Sequence, residues 1–391
     1  MNYFALVVII LFVASLIVDS QVYNRLFVRS LRKCALTYSV VSVFVLAALL
    51  LAIVFTLLRA DIPQAVLGWV FCVALAVLLS KFTLGIALLL SSIPKLWHGN
   101  SWRSVRRVGV VLAFAVIGYF VYSAAVTSRR IEVVDAEFAS ERIPAKFDGY
   151  RIVQFSDLHV GSFARRGKFV DRLVDSINAQ QPDLIVFTGD IVNFRTAELR
   201  PFIKSLQRLH ARDGVVAVTG NHDYGDYARW ETDEEHTQNF NELMTLMTDS
   251  LGWQVLNNRS IALHRQNDSI DVAGVENWGE PPFKQLGNLK AALANVSDST
   301  YTILLSHNPR HWDCEVVGKT NVDLTLSGHT HAMQTRFGSW SPSAWRYEHW
   351  AGAYNRGNQW LYVNIGCVEV GIPVRFGATP EITLITLKSK Q

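Results

Sequence analysis

The chain has 391 residues, 50% of them hydrophobic, with a mean hydropathy above zero and a formal net charge of +4; it is too apolar for an ordinary soluble domain and long enough for two units. The charge is unevenly divided, because residues 1–130 carry 12 Lys and Arg against 2 Asp and Glu, leaving 25 against 31 for residues 131–391. The second half is mildly acidic and has no basic run, which argues against a nucleic-acid groove.

Residues 1–130 hold four long apolar runs, Tyr3–Val18, Cys34–Leu58, Ala65–Ile93 and Val108–Thr127. A helix crossing the hydrocarbon needs about 20 residues, and runs this long with charges only between them are not the amphipathic helices of a soluble bundle. Four transmembrane helices are predicted, making 1–130 a membrane region. No basic residue precedes the first run and the bulky, polar Asp19-Ser-Gln-Val-Tyr follows it, which favours a retained anchor over a cleaved signal peptide. Lys81 interrupts the third run as a lone charge, expected to face the bundle or to snorkel. The first loop carries Arg25, Arg29, Arg32 and Lys33 and the third Lys95, Arg103, Arg106 and Arg107, against Arg59 alone in the second. The positive-inside rule makes loops one and three cytoplasmic and puts the C-terminal domain on the outer face, although Arg129 and Arg130 pull the other way. Cys314 and Cys367 show no ligand spacing to a second Cys and read as free buried thiols.

In residues 131–391, Ile131 to Phe138 alternates like an edge strand, and the short lead from the fourth run tethers this domain close to the bilayer. Strand Arg151–Ser156, a helix from Lys168 to Gln180 with Phe169, Leu173, Val174 and Ile177 on one stripe, and strand Asp183–Thr188 form a β-α-β unit. A helix over Ala197–Leu209 leads to strand Val215–Thr219. A charged helix, Glu234–Thr248, precedes short strands Trp253–Leu256, Ser260–His264 and Ser269–Ala273. Gln285–Leu293 reads as one more helix, Phe337–Trp360 as an aromatic loop region, and Leu361–Ile365 and Glu381–Leu387 as closing strands.

Five apolar strands run straight into polar turns: Phe155-Ser-Asp157-Leu-His159, Thr188-Gly-Asp190, Gly220-Asn221-His222-Asp223, Ser306-His307 and Gly328-His329-Thr-His331. Turns at the ends of strands place their side chains along one sheet edge, so five such turns can converge on one site. Asp and His donors without Cys suit a borderline divalent ion such as Mn, Fe or Zn and argue against a structural zinc site. One carboxylate between two such clusters can bridge two ions about 3.5–4 Å apart, a geometry used for phosphoester hydrolysis.

These motifs, in this order over residues 150–390, resemble the calcineurin-like metallophosphoesterase superfamily. The resemblance implies an α/β fold, a four-layer αββα sandwich, here preceded by the four-helix transmembrane region, and a dinuclear site. It implies that Asp157, His159 and His331 bind the first metal ion, Asn221, His307 and His329 the second, and that Asp190 bridges them. It makes His222 the acid that protonates the leaving oxygen, oriented by Asp223. Asn193 reads equally as a support for Asp190 or as a turn former.

The tail Trp360-Leu-Tyr-Val-Asn-Ile-Gly366 with Gly371-Ile-Pro-Val-Arg-Phe376 resembles the membrane-associated bacterial branch, with phosphodiesterases of the YkuE and YaeI type. Where that branch often carries Gly-Gly-Gln, this chain has Ala332-Met-Gln334. The implied substrate is a small or lipid-linked phosphodiester or pyrophosphate; hydrolysis of UDP-2,3-diacylglucosamine in lipid A synthesis is the alternative within the class, and a non-catalytic membrane-anchored scaffold the alternative outside it. His98, His210, His236, His264, His311 and His349 read as surface or packing residues, and Asp183 and Asp323 as surface carboxylates. The Trp340-to-Trp350 segment holds three of the eleven Trp residues, which suits loop packing, a membrane interface or a stacking ligand.

Overall fold

A computed structural model describes residues 3–24, 32–57, 64–94, 100–163, 167–281 and 284–390. The chain divides into two compact units, Met1–Val126 with Gly371–Val374, and Thr127–Val370 with Arg375–Gln391.

The first unit consists mainly of helices α1 (Tyr3–Val22), α2 (Arg32–Leu57), α3 (Gln64–Ser91) and α4 (Arg103–Ala125). Among the described residues two stretches, Val66–Ser91 and Arg103–Arg129, are long and apolar enough to cross a membrane, while Phe12–Val22 and Ala35–Leu51 are shorter apolar helices. The basic residues Arg25, Arg29, Arg59 and Lys95, on which the predicted orientation leans, lie outside the described residues. Lys81 is not a lone charge. It is buried, pairs with Asp19 at 2.9 Å and donates to Ser15 Oγ (2.8 Å) and Ser42 Oγ (2.7 Å). The pairing was hidden because α1 continues past the apolar run to Val22, which makes Asp19 a helical residue instead of the start of a loop.

The second unit is built on two six-stranded sheets. In spatial order the first is β1 (Glu132–Ser140), β12 (Glu381–Ser389), β2 (Arg151–Phe155), β3 (Leu184–Phe187), β4 (Val215–Ala217) and β5 (Gln254–Val255). The second is β10 (Gly352–Arg356), β11 (Gln359–Val363), β9 (Leu324–Ser327), β8 (Tyr301–Leu305), β7 (Asp268–Gly274) and β6 (Arg259–Arg265). Strands β2 to β5 are mutually parallel, as are β7, β8, β9 and β11.

The period-2 alternation of each strand explains the layering. Ile152, Leu184, Val186 and Val216 share one core with Val272, Ile303, Leu305 and Leu326 of the other sheet. Their neighbours Val153, Phe155, Ile185, Phe187 and Ala217 pack instead against α5 (Gly167–Ala179) and α7 (Asp233–Thr245), through Phe169, Leu173, Ile177 and Leu243. Outside the second sheet, Ala273, Leu304 and Leu361 pack on α8 (Leu289–Ala292) and on Trp312 and Val316 of the following turn. The result is helix, sheet, sheet, helix.

Local differences from the sequence reading have local causes. The helix expected over Ala197–Leu209 becomes two tight turns and the short α6 (Ile203–Leu206). Pro201 lacks an N–H, and the Glu198 carboxylate turns back to accept the backbone N–H groups of Asn193 and Arg195. The helix expected from Gln285 begins only after Asn288, whose side chain caps Ala291 N at 3.0 Å. Asp323 is buried, accepts Thr302 N at 2.8 Å and pairs with Arg142 at 3.4 Å, so it is not a surface carboxylate. The expected aromatic loop contains strand β10. Cys314 and Cys367 are free, with Cys367 buried and Cys314 half-buried.

Candidate metal centre

All five motif turns leave the carboxyl ends of parallel strands: Asp157 and His159 follow β2, Asp190 follows β3, Asn221 and His222 follow β4, His307 follows β8, and His329 and His331 follow β9. Because both sheets present these ends on the same edge, the side chains meet. Three overlapping groups have ligand atoms within 4.8 Å of one another: Asp157, His159 and His331; His159, Asp190 and His222; and Asp190, His307 and His329. Asp190 belongs to two of them. Its Oδ2 lies 3.6 Å from His159 Nε2 and 3.1 Å from His307 Nε2, between the two halves of the site. Asn221 Oδ1 lies 3.2 Å from His307 Nε2, on the second half.

Each histidine is turned by the atom on its far side. His159 Nδ1 lies 3.2 Å from Val192 O, His307 Nδ1 2.7 Å from Thr188 O and His331 Nδ1 3.1 Å from Val368 O. When Nδ1–H donates to those carbonyls, the Nε2 lone pair of each ring points into the site, which is what a metal ligand requires. His329 is reversed: its Nε2 meets Tyr347 Oη at 2.9 Å and its Nδ1 faces His307 Nε2 at 3.2 Å.

The backbone reports the same convergence. Asp157, His159, Asp190, His329 and His331 all adopt positive φ, between 37° and 74°. Non-glycine residues seldom take this conformation, and when several do so in one place the strain points to a site whose geometry is held by the surrounding fold. Gly189, at φ 98°, lets the chain pass Gly220 N, which an added Cβ would meet at 2.7 Å. A Cβ at Gly220 would overlap the Asp190 carboxylate. Gly220→Ala is therefore expected to displace Asp190 and to weaken metal binding by about 5- to 150-fold, the equivalent of the 1–3 kcal/mol that overpacking costs; metal titration of the variant checks it, and unchanged affinity would mean that the Asp190 position is not critical.

The electrostatics fit cations. Asp157 and Asp190 are buried, and among the described residues their ion-pair partners are histidines only. Burial opposes ionisation of both, but His331 beside Asp157 and His307 beside Asp190 hold these carboxyls below the usual range. Burial, reinforced by neighbouring histidines, pushes His159 well down and His329 to about 3, so these two rings are neutral donors. His307 is the exception. Burial opposes its charge, yet Asp190 carries it up to about 9, marking the place where the site most strongly attracts positive charge. Two buried anions, faced by the neutral rings of His159 and His329 and by a His307 proton that a cation would replace, are a donor set suited to divalent ions.

The expected pairing of Asp223 with His222 is corrected by the structure. Asp223 accepts four backbone N–H groups, from Asp190 (2.9 Å), Ile191 (2.8 Å), Val192 (3.3 Å) and Gly220 (2.9 Å), and so clamps the turns that carry Asp190 and Asn221. Burial and the nearby Asp190 carboxylate push its carboxyl up to about 7, against the pull of those donors. His222 instead has Nδ1 2.8 Å from Asn193 O and its ring stacked on Tyr227 at 4.2 Å between centroids. Its own N–H donates to Asp190 Oδ1 at 2.8 Å. The Asn193 side chain bonds Ser162 and does not support Asp190. Tyr227, whose Oη accepts from Asn221 Nδ2 at 2.8 Å, and Tyr347 were not singled out from sequence. A tyrosine in a charged stretch carries no local signal, and a carbonyl acceptor carries none at all.

Residues 150–333 match the calcineurin-like phosphoesterase family. The chain is 32% identical to the metallophosphoesterase YkuE of Bacillus subtilis over 70% of this chain and 91% of that protein. It is 31% identical to a Bos taurus protein named transmembrane protein with metallophosphoesterase domain, over 66% of this chain and 57% of that protein. Among solved structures, a dimetal phosphatase from Danio rerio aligns at 14% identity and a TM-score of 0.32, over 55% of this chain and 87% of that one.

Proposed function

From the premise that this chain belongs to the calcineurin-like phosphoesterase family, we propose that it is a membrane-anchored phosphoesterase that cleaves a phosphodiester or pyrophosphate of a small or lipid-linked substrate. The enzyme class is a metal-dependent phosphoester hydrolase with a dinuclear divalent centre. The observation that carries the residue assignment is the position of Asp190, shared by the groups on both sides of the site. In this reading Asp157, His159 and His331 would hold one ion and Asn221, His307 and His329 the other, with Asp190 placed to serve both. Two such ions, when bound, lower the pKa of a shared water and offset the charge that builds on the phosphoryl oxygens.

The remaining steps belong to the protein. His222 is half-buried, so its ring is reachable by substrate, and with Nδ1 committed to Asn193 O the proton for the leaving oxygen comes from Nε2. The stack on Tyr227 fixes the ring plane. Asp223 acts on the backbone, holding the Asp190 and Asn221 turns in register. Chelation of the purified protein is expected to abolish hydrolysis of bis-p-nitrophenyl phosphate, and Mn, Fe or Zn to restore it; activity that survives exhaustive chelation would remove the metal from the reading.

Four membrane spans, with the catalytic domain on the outer face, complete the proposal. Large apolar side chains exposed on the helices, Phe44 at 73% and Phe114 at 71% among them, support a lipid surrounding for the first unit. The orientation rests on loop charge. A C-terminal reporter active only outside the cytoplasm is expected to be active. A silent reporter, paired with a fluorescent cytoplasmic fusion, would reverse the topology and make UDP-2,3-diacylglucosamine the favoured substrate.

A further inference from the structure

The segment between ligand His331 and Trp350 forms a lobe on the rim of the metal centre, and its root is pinned. Ser341 Oγ donates to Ala332 O at 2.7 Å, Thr330 Oγ1 to Trp350 O at 2.7 Å, Arg336 N to Phe376 O at 2.7 Å, and Tyr347 Oη meets His329 Nε2 at 2.9 Å. Phe337 and Trp340 close a tight turn by exchanging backbone bonds of 2.8 and 3.1 Å. At the tip the pattern inverts. Trp345 is 81% exposed, Phe337 57%, Met333 47% and Trp340 42%, and the three aromatic rings lie in one cluster, with Phe337 to Trp340 at 6.3 Å and Trp340 to Trp345 at 5.7 Å. A stapled loop that sends four large apolar side chains outward is a built surface, because a loop serving only to pack would turn them in.

Charge selects the occupant. From Met333 to Arg346 the charged residues are Arg336 and Arg346, both exposed; Arg346 pairs with Glu280 at 2.8 Å, and Glu348, just beyond this stretch, pairs with Arg356 at 3.2 Å. Exposed tryptophan beside arginine, with the nearby carboxylates already paired, is a composition that settles into the headgroup layer of an anionic leaflet, where the ring buries its apolar body and the Arg336 guanidinium meets phosphate.

We infer that the lobe Met333–Arg346 is a bilayer-docking wedge, which seats the rim of the metal centre in a lipid leaflet and selects phosphoesters carried by membrane lipids. The inference rests on the phosphoesterase reading and names its substrate class. A polar phosphoester then reaches the ligands from the headgroup plane while its acyl chains stay in the leaflet beside Trp345 and Phe337.

The test uses the full chain in vesicles of phosphatidylcholine and phosphatidylglycerol. Tryptophan emission is compared between wild type and Trp345→Phe, with and without acyl-chain-brominated phosphatidylcholine; the difference isolates Trp345, and it is expected to be quenched. Rates are then measured for the double variant Phe337→Ser/Trp345→Ser on bis-p-nitrophenyl phosphate in solution and on a diacylglycerol p-nitrophenyl phosphodiester in the bilayer. The rate on the bilayer substrate is expected to fall about tenfold while the soluble rate holds. An unquenched Trp345, equal rates on both substrates, or an equal fall on both would overturn the wedge. Wild-type protein that cleaves neither ester would sink the phosphoesterase reading instead, and quenching would still judge the docking surface by itself.

Discussion

Asp190→Asn is expected to lose both metal equivalents and nearly all hydrolytic activity. The substitution keeps the shape of the side chain and removes the charge from the one carboxylate that faces both halves of the site, 3.6 Å from His159 Nε2 and 3.1 Å from His307 Nε2. The other residues of the group on that side, His307 and His329, are neutral or, in His307, drawn toward protonation by this same carboxylate. Without it, nothing in that group offers a negative charge. Elemental analysis after gel filtration decides the point, and two ions retained per chain would end the bridging assignment.

His222→Ala is expected to behave differently, keeping its metal while turnover falls by about 10²–10⁴, the usual contribution of a positioned acid. His222 lies in one of the three ligand groups, so its geometry alone permits a ligand role. Metal content separates the two roles, and leaving-group dependence confirms the acid. The loss should shrink for p-nitrophenolate, which scarcely needs a proton, and grow for an alkoxide. An equal loss on both, or a loss of metal, would move His222 out of the acid role.

Much of the second unit was legible because local and tertiary rules agree there. Each of the five motif strands is an apolar run of β-formers that ends in a polar turn, so the strand and the site residue it delivers are read from the same few residues. Helix α5 announced itself through Phe169, Leu173, Val174 and Ile177, which all proved buried. What the sequence hid depends on partners distant in the chain. Asp223 beside His222 suggests a dyad, yet its oxygens are taken by backbone N–H groups of two turns, a demand that no side-chain pattern records. The acceptor for His222 is a carbonyl, which any residue could supply. Lys81 looked solitary because Asp19 is 62 residues away in sequence and only the packing of the helices brings them together. The left-handed backbone at five of the motif residues is likewise invisible, since Asp and His carry no glycine-like signal for it.

Electron paramagnetic resonance of the Mn-loaded full chain tests the central claim most directly, because two ions sharing the Asp190 carboxylate and a water are magnetically coupled, whereas ions bound singly are not. At two Mn per chain the account predicts the spectrum of an exchange-coupled pair, lost in Asp190→Asn and retained in His222→Ala. A spectrum of isolated ions at saturating metal, with one Mn per chain and full hydrolytic activity, would contradict it.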